Sequence, residues 1–312
     1  MWSPLLSSLS VLLIAGHALG APSCPRGDKP SADDRKYLIS FGDSYSSNAF
    51  NISAAKPSRV NPIGNPDLPG KTTSGWLNWL GLLTLGYNKT LVLNYDFAKG
   101  GATVNNSIVK SNNRPDFADQ VAEFKGSIGS KPDYAKWTSD NALFAVWFGI
   151  NDIGLSYAQD GEDARLDKVH NSYFKNLDAL YKAGARNFVI LTVPPTDRTP
   201  LMKGRSNVDK LIGAKKYWNG NLPKRFDDFK SKHAGVKITF IDTHPPFNKA
   251  LDHPKDYGAP DANCEDQGGF KCLWYNNYHP GVAIHNLTAG VVAGKIDSFF
   301  TATAHAINIP KA

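Results

Sequence analysis

The chain has 312 residues, 41% hydrophobic and 20% charged, with a formal net charge of +7. That length and apolar content support a real core, in one large domain or two small ones, and exclude a disordered chain or a repeat array. The positive charge does not point to nucleic acid, because Lys and Arg are scattered and no basic stripe is interleaved with aromatics.

Leu5 to Leu19 carries no Lys, Arg, Asp or Glu and runs into small residues at Gly20 and Ala21. This pattern predicts a secretory signal peptide over 1–20, leaving 21–312 as one domain of an extracellular protein. The run is short for a membrane span, and no later stretch is long and apolar enough for one. Sequons at Asn51, Asn88, Asn105 and Asn286 fit glycosylation outside the cell. Cys264 and Cys272 are expected to pair in an oxidising compartment, and Cys24 is left over, free or bridging two chains. The chain is expected to be a monomer or a homodimer.

Five strand-like segments follow in order: Lys36–Phe41, Thr90–Phe97, Ala142–Phe148, Arg186–Val193 and Val236–Asp242. Their nearly continuous apolar runs are the pattern of parallel strands covered on both faces. Helical periodicity occupies the intervals, over Ser74–Leu85, Arg114–Ile128, Arg165–Ala183, Asn207–His233 and Ala283–Thr301. Pro223 is expected to kink the fourth of these. The alternation predicts an α/β fold, a three-layer sandwich. Long loops are expected over Tyr45–Thr73, Pro194–Ser206 and His244–Tyr278. Gly64 to Thr72 imitates a phosphate-binding loop, but its first Gly is one position early and no strand precedes it.

Chemistry-bearing residues fall where strands end. Gly42-Asp43-Ser44 follows the first strand, Lys99-Gly100-Gly101-Ala102-Thr103 the second, and Trp147-Phe148-Gly149-Ile150-Asn151-Asp152 the third. Asn276-Asn277-Tyr278-His279-Pro280 precedes the last helix. Acyl transfer needs a hydroxyl, a base to take its proton, and donors waiting for the oxyanion. Ser44 supplies the hydroxyl and His279 the base. The Ser44 amide, the Gly101 amide and the Asn151 side chain supply the donors. Strands in a sheet lie about 5 Å apart, so these loop ends would converge.

In these four motifs the chain resembles the GDSL or SGNH hydrolases, with Ser44, Gly101, Asn151 and His279 in the family's order. More narrowly, Phe41-Gly42-Asp43-Ser44-Tyr45, Phe97 to Thr103 and Tyr278-His279-Pro280 resemble the fungal secreted acetylesterases of carbohydrate esterase family 16. The resemblance implies a flavodoxin-like fold with a five-stranded parallel sheet. It also implies a serine esterase mechanism without metal or cofactor, and short acyl groups such as acetyl on plant-cell-wall oligosaccharides. Two alternatives stand beside it: a lipase or phospholipase acting on longer chains, and a retired esterase scaffold that binds carbohydrate. No nucleic-acid or membrane partner is expected.

One position departs from the family. An Asp three residues before the His usually orients the imidazole, and here that position is Asn276. Three outcomes are open. Asn276 or a backbone carbonyl orients the ring; or Asp256, Asp261, Glu265 or Asp266 folds back to substitute; or the site is weakened.

Asp43 is expected to structure its turn, and Asp152 to cap a helix or turn. His170, His233, His244, His253 and His305 lack metal-ligand spacing and read as surface or capping residues. Trp76, Trp79, Trp147 and Trp218 read as core. Tyr45, Trp274 and Tyr275 are candidates for substrate contact.

Overall fold

A computed structural model describes residues 34–307. The segment 1–20 and Cys24 lie outside the described residues.

Five strands form one parallel sheet: β1 (Lys36–Gly42), β2 (Val92–Asp96), β3 (Ala142–Trp147), β4 (Asn187–Leu191) and β5 (Lys237–Ile241). The order is β2-β1-β3-β4-β5. The chain leaves β1 toward one edge and returns on the other side as β3, so the strand order reverses between them. Such a reversal opens a crevice at the carboxyl ends of the strands, where α/β proteins bind ligands. Every residue of β2 and β3 is buried, which is why β3 reads as an unbroken apolar run, whereas β2 carries buried Asn94 and Asp96. β5, at an edge, is only half-buried.

Seven α-helices cover the sheet: α1 (Trp79–Leu85), α2 (Phe117–Lys125), α3 (Ile150–Ser156), α4 (Glu162–Lys182), α5 (Val208–Lys232), α6 (His244–Asp252) and α7 (Val282–Lys295). By contact, α1 and α6 pack with α7, whereas α2, α3 and α5 pack with α4. Aromatic rings fill one interface, with Phe41 against Phe97, Phe117 and Phe124. Burying such a ring is worth about 1.5–3 kcal/mol.

Several expected boundaries move. The helix expected from Ser74 begins at Trp79, because the Asn78 side chain accepts from the Leu80 and Gly81 amides and caps it there. The last helix ends at Lys295, six residues early. The helix α5 runs through Pro223 as one element. The expected loop over His244–Tyr278 contains α6, whose Pro245 and Pro246 occupy the first turn, where the missing N–H costs nothing. The helix α3 falls in an interval where no helix was expected.

Candidate active site

The turn after β1 is built tightly. A Cβ on Gly42 would lie 2.7 Å from the Trp147 carbonyl oxygen, so glycine lets β1 and β3 end side by side. Gln120 of α2 donates to the Gly42 carbonyl at 2.8 Å and accepts from its amide at 3.0 Å. The Asp43 carboxylate accepts from the Tyr45 amide, and the Asp43 carbonyl accepts from the amides of Ser46 and Ser47. Ser44 therefore sits on a fixed turn, 9% exposed, with the Thr73 hydroxyl donating to its carbonyl at 2.8 Å.

His279 is presented by a second fixed loop. The Tyr275 amide donates to the His279 carbonyl, and the Gly281 amide to the Leu273 carbonyl. Upstream, a disulfide joins Cys264 and Cys272, with their Cα atoms 5.2 Å apart. The ring Nε2 lies 2.8 Å from Ser44 Oγ, and Nδ1 lies 3.0 Å from Asn276 Oδ1. That same Oδ1 accepts from the amides of Tyr278 at 3.0 Å and His279 at 2.9 Å. Burial lowers the His279 pKa to about 4. The acidic residues of the preceding loop do not reach the ring. Asp266 is turned to the amides of Gly268, Phe270 and Lys271, and Asp261 to those of Asn263 and Cys264. Asp256 and Glu265 are exposed and make no hydrogen bond to it.

The loop after β2 comes up beside the nucleophile turn, where a Cβ on Gly100 would lie 4.0 Å from the Ser44 Cβ. Gly101 has φ +78°, a conformation glycine takes without strain. Neither the Ser44 nor the Gly101 amide donates to another described residue. Asn151, at the start of α3, donates through Nδ2 to the Ala102 carbonyl at 3.0 Å. An amide nitrogen carries two hydrogens, so this bond orients the second. The structure thus joins Ser44, His279 and Asn276 in one row of contacts, with Gly100 against Ser44 and Asn151 tied to Ala102 in the same loop.

Other candidates fare differently. Tyr45 and Trp274 are completely buried and present no surface to a substrate, which corrects the expectation of contact. The Tyr45 hydroxyl instead donates to the Tyr278 carbonyl at 2.5 Å, and the Trp274 ring N–H to the Ala262 carbonyl at 2.8 Å. Tyr275 is half-buried. Asp152 lies buried in the first turn of α3 and accepts from the Val104 amide at 2.9 Å, tying the loop after β2 to α3. Burial raises the pKa of Asp43 and of Asp152 to about 7. His170 is buried against Trp218, not on the surface, with ring centroids 4.3 Å apart.

Asn51 and Asn286 are exposed, whereas Asn88 and Asn105 are half-buried. Among the described residues no group of three His, Cys, Asp or Glu is placed to hold a metal, and no helix is long and apolar enough to cross a membrane.

Sequence reasoning passed over two surfaces. Phe270 is 58% exposed and packs against half-buried Trp76, with ring centroids 5.6 Å apart. Trp76 is thus not a core residue, and it lies three positions from Thr73, the residue bonded to Ser44. Only the close packing of Ser74 and Gly75 against Gly268 and Gly269 brings these rings together, and no local pattern signals that. A cavity of about 300 Å³ beside Asn151 is lined by Leu155, Leu201, Met202, Leu211 and Tyr278, with Arg205 among them. A second cavity, about 680 Å³, lies at the ends of β4 and β5 around Lys215 and holds none of the four motif residues.

Comparison with known proteins bears on this arrangement. The family model described as GDSL-like lipase/acylhydrolase matches residues 38–290. An acetylesterase of Thermothelomyces thermophilus is 46% identical over 291 residues, covering 91% of this chain and 96% of the relative. An acetylesterase of Hypocrea jecorina is 27% identical, covering 84% and 90%. A crystal structure of Axe2, an acetylxylan esterase from Geobacillus stearothermophilus, aligns at 15% identity and TM-score 0.49, covering 84% of this chain and 94% of that one.

Proposed function

Because the chain belongs to the GDSL-like lipase/acylhydrolase family, we propose that it is a secreted esterase that removes short acyl groups, chiefly acetyl, from plant-cell-wall oligosaccharides. The observation that carries the reading is the 2.8 Å contact between His279 Nε2 and Ser44 Oγ, together with the Ser44 and Gly101 amides, which donate to no described residue. The 46% identical relative that bears the name acetylesterase supports the acyl preference. The disulfide supports export, since such bonds persist in oxidising compartments.

Ser44 Oγ attacks the ester carbonyl carbon while His279 Nε2 takes its proton. The carbonyl oxygen becomes an oxyanion, held by the amides of Ser44 and Gly101 and by the free hydrogen of Asn151 Nδ2. The imidazolium returns the proton to the departing sugar oxygen, leaving acetyl-Ser44. Water then attacks that ester, His279 takes the water's proton, and collapse releases acetic acid and restores the serine hydroxyl. Trp76 and Phe270 offer an aromatic face to the pyranose ring beside the scissile bond, and Tyr275 borders the other loop.

Acetate release from an acetylated xylo-oligosaccharide, compared with Ser44→Ala, tests this reading. The native protein is expected to turn over and the variant to lose on the order of 10³-fold or more. Absence of turnover by the native protein overturns it.

A second reading, an esterase for longer acyl chains, is favoured by the apolar cavity beside Asn151. Comparing acetyl with octanoyl esters of one alcohol separates the two. Nothing at the Ser44–His279 contact favours a retired scaffold.

A further inference from the structure

We propose that Asn276 is a positioning residue that does a carboxylate's orienting work without its charge, and that this equips the esterase to work in an acidic medium. The inference rests on the esterase reading and extends it to the working conditions of the site.

The first part follows from hydrogen-bond donors. An Asn side chain can present either its oxygen or its NH2 to a neighbouring ring. Here the choice is forced, because one terminal atom sits 3.0 Å from the Tyr278 amide and 2.9 Å from the His279 amide. Both backbone groups are donors, so the atom facing them is the oxygen. A flipped amide would lose both bonds and set donor against donor. The same oxygen faces His279 Nδ1 at 3.0 Å, so Nδ1 carries the hydrogen. Nε2 is then left with its lone pair toward Ser44 Oγ. In serine proteases the Asp-to-Asn change is damaging largely because the wrong tautomer results. The two backbone amides remove that failure here.

The second part follows from what surrounds the ring. From the turn after β1 come Tyr45, with ring centroids 5.6 Å apart, and Asp43 behind it. From its own loop comes Tyr278, also at 5.6 Å. From α7 comes His285, packed on the other side of Tyr45. Buried Asp152 on α3 lies near Asp43, and Arg114 lies beside Gly101, neither of them hydrogen-bonded to the ring. Below about pH 7, Asp43 and Asp152 are protonated, and burial keeps His285 neutral down to about pH 3. No carboxylate touches the imidazole, so nothing offsets the burial that lowers its pKa to about 4. A histidine with a lowered pKa stays a competent base as the medium acidifies and fails only on falling through that value. A carboxylate at 276 would favour the imidazolium and raise the point of failure.

The test is the pH dependence of kcat/KM for acetate release, measured by chromatography so that the readout does not itself titrate. The native acid limb is expected near pH 4. In Asn276→Asp it is expected about two pH units higher, so that the variant is about tenfold slower than native at pH 5 and regains the loss above pH 7. Asn276→Ala is expected to be slower at every pH with the limb near 4. Coincident acid limbs for the native protein and Asn276→Asp overturn the proposal. Nitrogen NMR of His279 in the native protein gives an answer independent of turnover and of how the variants fold. An Nδ1–H tautomer titrating near pH 4 supports the proposal. An Nε2–H tautomer, or titration near pH 6.5, refutes it. Loss of all acetate release by the native protein, with the expected tautomer and titration present, counts against the esterase reading instead.

Discussion

Replacing Asn151 by Ala removes one of the three donors assigned to the oxyanion and little else. The Asn151 side chain is half-buried at the first turn of α3, and its one internal bond is to the Ala102 carbonyl at 3.0 Å. Losing that bond costs about 0.5–1.5 kcal/mol of stability, with water able to take its place. The catalytic loss is larger, because the second hydrogen of Nδ2 meets a charge that exists only in the transition state. Removal of one such donor costs about 2.7–4 kcal/mol, a fall in kcat on the order of 10²–10³-fold. KM for an acetyl ester should change little, since the ground-state carbonyl carries no full charge. Steady-state kinetics on phenyl acetate and on an acetylated oligosaccharide, with thermal unfolding run alongside, measure all three quantities. Asn151→Asp keeps the shape but replaces the donor with an acceptor, and it should be at least as slow. A folded Asn151→Ala enzyme with kcat within about threefold of native, or with the whole loss in KM, would refute the assignment.

Other substitutions probe the supports of the site. Tyr45→Phe leaves the Tyr278 carbonyl without the hydroxyl that reaches it at 2.5 Å; stability should fall by about 1–3 kcal/mol, read as a lower urea midpoint, with a lower kcat because that strut holds the backbone next to His279. Phe270→Ala removes most of the exposed aromatic face; KM should rise several-fold for an acetylated oligosaccharide and much less for phenyl acetate, and equal effects on both would count against a sugar-stacking role. Asp43 has its folded pKa raised by burial from 3.8 to about 7, so the folded state binds the extra proton and native stability falls as pH rises between those values. Asp43→Asn stays neutral throughout, so its unfolding temperature relative to native should climb from pH 4 to pH 8; a flat difference would contradict the buried-carboxyl assignment.

The strands were legible because each is a short segment rich in apolar residues and most are covered on both faces, and all five lie within two residues of their expected ends at both sides. Helix starts were less so. Ser74 begins a periodic apolar pattern, but Gly75 takes φ +83° and the chain turns helical only after Asn78 caps it. The helix α6 was hidden by Pro245 and Pro246, which signal a break unless they fall in a first turn. The chemistry-bearing residues stood out because each follows a strand or enters a helix at a glycine or proline. Their supports did not: Gln120 reaches Gly42 across 78 positions, and Tyr45 reaches Tyr278 across 233. Tyr45 and Trp274 look like binding aromatics in a one-dimensional reading because they flank Ser44 and the His279 loop. Burial, which depends on elements far away in the chain, makes them struts instead.

Reaction of the protein with an aryl phosphonate, followed by peptide mass spectrometry and an acetate-release assay on the same sample, tests the central assignment most directly. A single adduct on Ser44, with turnover lost in proportion to labelling and no adduct in Ser44→Ala, is the expected result. Full labelling of Ser44 with acetate release intact, or an adduct on another residue that abolishes it, would contradict the account.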